Sequence, residues 1–195
     1  SVLSDGYVDR SNANLKSYYF AGTYLSEKTM VKLLTFGGIE KTHQAWNGVS
    51  GDLLASNPTY NDLGKYIDDE GNTQFSDNQV DNYNQTHYQL HWKQQLNADF
   101  SWNMTGHYTR GFGYYEEYKE GRKYHEYGLI APVIDGNLLA KTDLIRQKHL
   151  DNHFGGATWS LNYDKRKVQA ILGGAYSHYD GDHFGKVMNI PVHYT

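Results

Sequence analysis

Thr86-His87-Tyr88-Gln89-Leu90-His91-Trp92-Lys93-Gln94-Gln95-Leu96-Asn97 alternates apolar and polar residues almost without interruption. Tyr88, Leu90, Trp92 and Leu96 share one face, broken only by Gln94, while His87, Gln89, His91, Lys93, Gln95 and Asn97 share the other. Period 2 belongs to a strand, because successive side chains leave the pleat on opposite sides. After Ala98-Asp99 the alternation resumes, with Phe100, Trp102, Met104, Gly106 and Tyr108 against Ser101, Asn103, Thr105, His107 and Thr109. A tight turn at Asn97-Ala98-Asp99 sets Leu96 opposite Phe100, Trp92 opposite Met104 and Tyr88 opposite Tyr108. The two apolar faces then coincide, whereas a slip of one residue would send each to the wrong side.

The same unit recurs in both directions from this hairpin. Downstream, Ala157, Trp159, Leu161 and Tyr163 alternate with Thr158, Ser160 and Asn162. Asp164-Lys165-Arg166-Lys167 reads as the turn, and Val168, Ala170, Leu172, Gly174 and Tyr176 continue the apolar face, with Ile171 out of pattern. Upstream, a hairpin runs from Leu15 to Ser26, turns near Glu27-Lys28 and returns from Val31 to Gln44. Its alternation is blurred at Tyr18-Tyr19-Phe20 and Leu33-Leu34. The stretches between hairpins are long and polar: residues 47–84, which include Asp68-Asp69-Glu70-Gly71-Asn72, and residues 119–148, with an apolar patch at Leu129-Ile130-Ala131-Pro132-Val133-Ile134. Connections of that length inside a domain usually carry function.

The expected fold is therefore all-β, an antiparallel up-and-down meander of about six long strands, with short turns at one end and long loops at the other. Strands of a water-soluble sandwich run to about 5–6 residues, well short of these. The pattern reads as the wall of a transmembrane β-barrel, its apolar face toward lipid and its polar face toward a lumen. Tyr18, Tyr19, Trp46, Tyr108, Tyr114, Tyr115 and Tyr176 are candidates for the aromatic girdle where such a wall leaves the membrane.

Composition agrees. The chain has 195 residues, room for one domain, and 18 Lys+Arg against 22 Asp+Glu give a net charge of −4, which argues against a polybasic nucleic-acid binder. With no cysteine there is neither a disulfide framework nor a thiolate metal site. Hydrophobic residues make up only 38%, yet aromatics reach 15%, with 18 tyrosines, so aromatic rings serve as amphipathic surface as well as core. No apolar run is long enough for a transmembrane helix. Ser1-Val2-Leu3-Ser4-Asp5-Gly6 lacks the basic and apolar regions of a signal peptide, and the expectation is that this sequence starts downstream of the native N-terminus.

Four segments carry a likeness to a known family. Leu3-Ser4-Asp5-Gly6-Tyr7-Val8-Asp9-Arg10-Ser11, Lys41-Thr42-His43-Gln44-Ala45-Trp46-Asn47-Gly48-Val49, Asn84-Gln85-Thr86-His87-Tyr88-Gln89-Leu90-His91 and His107-Tyr108-Thr109-Arg110-Gly111-Phe112-Gly113-Tyr114-Tyr115-Glu116-Glu117-Tyr118 resemble stretches of TonB-dependent outer-membrane receptors. The chain is similar to the iron-siderophore or ferric-citrate type found in Bacteroidetes. The resemblance implies a 22-stranded barrel with an N-terminal plug, located in the outer membrane of a Gram-negative bacterium. It also implies active import of a ferric chelate, powered through TonB acting on the plug. This sequence has neither plug nor TonB box, so it reads as a partial wall, an internal fragment of that barrel. Left alone, its open edges and apolar face invite self-association. The alternatives are a passive porin-like or small adhesive barrel and a soluble β-sandwich binding module.

Ligand contacts in such a receptor are expected on the loops and the upper lumen wall, where Arg110, Tyr114, Tyr115, Glu116, Arg122, Lys123 and Tyr124 are the candidates. Cations there suit an anionic chelate and tyrosines suit stacking on it. His87, His91 and His107 fall together on the polar face, where the choice is between a transition-metal site and ordinary polar wall. Wall is the expected reading, because diagonal neighbours stand about 7–8 Å apart. Asp180-Gly181-Asp182-His183 resembles part of a calcium loop but lacks the downstream bidentate glutamate, and a solvated turn is expected. Asp68-Asp69-Glu70 reads as a solvated loop, and Asn84-Gln85-Thr86 is a chance match to the glycosylation pattern. No nucleophile elbow, phosphate loop, zinc-protease motif or paired glycosidase carboxylates are present, so neither an enzyme nor a bound cofactor is expected.

Overall fold

The computed structural model describes residues 1–189. In chain order its elements are β1 (Val2–Ser4), β2 (Ala13–Leu25), β3 (Thr29–His43), the short helix α1 (Gly51–Ser56), β4 (Lys65–Ile67), β5 (Thr73–Phe75), β6 (Val80–Gln95) and β7 (Phe100–Lys123). A single 3-10 turn (Tyr124–Tyr127), β8 (Val133–Ile134), β9 (Asn137–Leu138), β10 (Lys141–Lys165) and β11 (Val168–Asn189) follow. Strand accounts for 68% of the chain and helix for 5%, which leaves no helical layer to cover a sheet. One antiparallel sheet takes seven strands in the order β1-β2-β3-β6-β7-β10-β11, and β4-β5 and β8-β9 are separate hairpins in the two long connections. The sheet is not closed into a barrel.

The central register is the one the alternation requires: Trp92 pairs with Met104 and Tyr88 with Tyr108, and the Leu96 amide donates to the Phe100 carbonyl at 3.0 Å. Asn97 makes the turn by accepting on Oδ1 from the amides of Asp99 (2.9 Å) and Phe100 (3.0 Å), the local competition with the ladder that suits asparagine to turns. At the β2–β3 turn the Ser26 hydroxyl accepts from the Thr29 amide at 3.2 Å. The turn expected over residues 164–167 is tighter: β10 runs through Lys165, which pairs with Val168, and Arg166 sits in the left-handed region at φ 56°.

Several strands reach further than alternation suggested. Residues 80–84, 119–123 and 141–148 belong to strands, not to the long connections, and Asp180-Gly181-Asp182-His183 is not a turn but lies inside β11, paired with residues 150–153 of β10. The reason lies in the rows across the sheet. Tyr24, Val31, Trp92, Met104, Trp159 and Gly174 form one row, and Phe20, Thr35, Tyr88, Tyr108, Gly155 and His178 another, four residues nearer the loops. The next row on the same face is Tyr18, Gly37, Thr86, Arg110, His153 and Asp180. Beyond Tyr88 and Tyr108 both faces are mostly polar, with Ile39 and Phe112 among the exceptions, so the strands continue without a sustained apolar alternation to announce them. Of the girdle candidates, Tyr18, Tyr108 and Tyr176 share the apolar face, whereas Tyr19 and Tyr115 fall on the polar one, Trp46 lies in a loop and Tyr114 stands three rows above Tyr108.

Exposure is inverted relative to a water-soluble sheet. Tyr88, Leu90 and Trp92 are exposed, while His87, Gln89 and His91 between them are half-buried. The buried apolar side chains among the described residues are Val80, Leu144 and Tyr124, and all three lie at the loop end. Glycine permits close approach there: a Cβ on Gly111 would collide with the Tyr83 hydroxyl, and one on Gly113 with the Asn82 carbonyl.

Candidate functional site

The outer half of β7 carries most of the candidate residues, and strand geometry divides them between two faces. Arg110 and Tyr114 lie on the face that continues the apolar band. Arg110 ion-pairs with Asp151 and stands 5.2 Å from the Phe112 ring, and Tyr114 lies 5.2 Å from the His149 ring. Tyr115 points to the opposite, polar face, where the Lys148 ammonium sits 5.5 Å from its ring and Trp46 meets it edge-on at 6.4 Å. Glu116 is buried and held by Asn78 and by the Gln147 amide at 2.5 Å. Arg122 pairs with Glu126 at 2.7 Å, Lys123 ends β7 opposite Lys141, and Tyr124 is buried at the start of the 3-10 turn. Burial gives Glu116 and Tyr124 anchoring and packing roles, and the seven side chains do not converge on one point.

Two residues outside that set complete a platform. Trp46 (60% exposed), Tyr115 and exposed Lys148 place two aromatic rings and a cation together at the loop end of the polar face. An aromatic surface beside an ammonium can hold a flat anion by stacking and charge. Lys148 escaped the sequence reading because residues 119–148 resembled loop. Only the register opposite Tyr115 places it.

Two residues farther toward the loop end, a charged network ties β7 to β10. The Arg146 guanidinium donates to Glu117 Oε1 (2.7 Å from Nε) and to the Tyr127 hydroxyl (2.9 Å), while Lys119 reaches Glu117 Oε2 at 2.7 Å. Burial raises the Glu117 pKa, but hydrogen bonds from Lys119 and Arg146 outweigh it and hold the carboxyl below its ordinary range. Burial, then the hydrogen bond to the Asp143 carboxylate, pushes the Tyr118 phenol up. Asp68 at the tip of the β4–β5 hairpin is held low by hydrogen bonds from Gln74 and the Asn72 amide. The acidic run at 68–70 is thus an ordered turn.

The three wall histidines do share the polar face, with His107 opposite Gln89. Each is engaged separately: His87 with Thr109 at 2.9 Å and stacked on Phe36, His91 with Thr105 and Gln89, and His107 against Phe154. Among the described residues no group of three or more His, Asp or Glu side chains is placed to hold a metal ion.

No family model, curated protein or solved structure matches this chain.

Proposed function

We propose that the chain forms part of the wall and outer rim of a transmembrane β-barrel in the outer membrane of a Gram-negative bacterium, a receptor of the TonB-dependent type that imports a ferric chelate. The observation that carries the membrane reading is the exposed apolar band. On β7 it runs over residues 100–108, nine positions from Phe100 to Tyr108, and is interrupted by Arg110, with Phe112 the only exposed large apolar side chain beyond it on that face of the strand. A transmembrane strand needs about 9–11 residues. Aromatic rings bound the band at both ends, with Phe100 and Tyr163 at 4.8 Å near the turns and Tyr88 and Tyr108 at 6.2 Å near the loops. Such girdles mark where a barrel wall crosses the interfaces. A soluble sandwich would need a second layer over Trp92, Trp102 and Trp159, and among the described residues no other strand packs on them.

The receptor type rests on the four sequence segments, and the Trp46–Tyr115–Lys148 platform suits an anionic chelate at the outer rim. The plug through which TonB would act, and the remaining wall, belong in this reading to the parent protein. Fluorescence quenching by brominated phospholipids tests the membrane reading. Trp92, Trp102 and Trp159 should be quenched in single-tryptophan variants and Trp46 should not, and an unquenched band would refute it. Immunoblots of outer-membrane fractions test the receptor reading. A heat-modifiable band several times larger than the 22.4 kDa of this chain supports it, and a membrane band near that mass sinks it in favour of a small barrel.

A further inference from the structure

The polar face of the sheet carries a row of rings. Tyr19, Phe36, His87, Thr109, Phe154 and Tyr179 stand side by side on β2, β3, β6, β7, β10 and β11. Thr109 alone in this row is not a ring, and it leaves a gap between His87 and Phe154. Both rings at the gap are held in place. His87 stacks on Phe36 with centroids 4.5 Å apart and is bonded to the Thr109 hydroxyl, while Phe154 leans on His107 at 5.1 Å and is exposed on its other side.

The next row toward the loops contains Gln85, Gly111 and Asn152. Gly111 brings no side chain, and the Tyr83 phenol lies over it, where a Cβ would strike the hydroxyl. Amide, phenol and amide therefore stand in line, the outer two separated by two strand spacings, about 10 Å. On the turn side of the gap are Gln89 and His107. These side chains bound an open hollow of about 470 Å³, within the size range of small-molecule sites.

The polar groups of the hollow are available. Gln89 spends its Oε1 on His91 at 3.2 Å and Asn152 its Oδ1 on the Tyr179 hydroxyl at 2.8 Å, so each keeps its NH₂ free. Gln85 and the Tyr83 hydroxyl have no hydrogen-bond partner among the described residues, and neither is sealed from solvent. In contrast to the rim platform, no lysine, arginine or carboxylate lines the hollow.

We propose that this hollow binds a neutral sugar, one pyranose ring laid against Phe154 with its hydroxyls toward the Gln85 and Asn152 amides. A sugar ring presents C–H groups on its face and hydroxyls around its rim. The negative face of an aromatic ring attracts the first, and a carboxamide, which donates and accepts at once, satisfies the second. An anion would find no cation here, and an apolar ligand would strand the free amides. The hollow and the rim platform thus take different chemistries, and the inference stands apart from the receptor reading.

The test is a titration of the ¹⁵N-labelled chain in phosphatidylcholine nanodiscs with maltose, lactose and citrate, read at the side-chain NH₂ resonances of Gln85, Gln89 and Asn152. Saturable shifts with a disaccharide and none with citrate are expected, and the tighter sugar gives the preferred linkage. Gln85→Leu removes one amide and leaves no protein group unpaired. Phe154→Leu keeps the bulk and removes the ring face. Each should weaken sugar binding about three- to tenfold, with backbone resonances away from the hollow unmoved to show that the variant folds. A saturable shift with citrate, none with either sugar, or wild-type affinity in either variant overturns the proposal and leaves a hydrated wall.

Discussion

Replacing Trp92 by lysine puts the membrane reading under the heaviest load. Trp92 lies four residues from Tyr88 and four from Leu96, the two ends of the apolar band along β6 and into its turn. At about 3.3 Å per residue that is about 13 Å along the strand from either end, or about 9 Å of depth for a strand tilted by about 45°. The site is therefore close to the midplane, where a lysine on the lipid face costs roughly 2–4 kcal/mol. The mate for this experiment is Gln89→Leu, on the polar face and three residues away, which should cost about 1 kcal/mol or less because it removes only the half-buried hydrogen bond between Gln89 and His91. Urea unfolding of the protein in phosphatidylcholine vesicles, followed by far-UV circular dichroism, measures both. If the band meets water, Trp92→Lys is itself a surface change on an exposed side chain and stays within about 0.5 kcal/mol. A gap between the two variants below about 1 kcal/mol would falsify the assignment of the band to lipid.

Three further outcomes are expected. Arg146→Met leaves the buried Glu117 carboxylate with Lys119 alone and releases Tyr127, so it should destabilise the loop end by about 2–3 kcal/mol, seen as faster amide exchange over residues 124–140. Because the folded Glu117 carboxyl titrates below its ordinary value of 4.5, its contribution is present above that pH and is lost as pH falls through the lowered folded value. Thermal melts between pH 7 and pH 3 should show this loss, and Glu117→Gln should flatten it. The isolated chain should sediment as oligomers in the absence of lipid, since among the described residues the 22-residue β11 has an unpaired edge and the apolar band is bare. A monodisperse monomer in dilute buffer would contradict this.

The alternation from Tyr88 to Tyr108 determined the central hairpin, its register and the face each residue occupies, because a strand with one apolar side tolerates no one-residue slip. The same residues placed the short turns and long loops at opposite ends. The outer thirds of β7 and β10 were not legible. Arg110 to Lys123 carries polar and aromatic residues on both sides, so nothing in its period distinguishes strand from loop. Nor is the face of Arg110 legible: a place on the loops or the upper lumen wall fits its residue type, but β7 runs unbroken past Tyr108 and puts it on the apolar-band face.

The loop end depended wholly on tertiary structure. Gln44, Val80, Glu116 and Gln147 are far apart in sequence and become one buried cluster only when β3, β6, β7 and β10 lie side by side. The small cavity under the loops arises in the same way, its lining drawn from Arg10, His43, Gln44, Asn61 and Gln79 among others. Local period fixes which side of a strand a residue faces, and the sequence by itself settled that wherever one side is apolar. Which distant polar groups meet follows from hydrogen-bond satisfaction across the assembled strands, and a linear pattern holds no record of it.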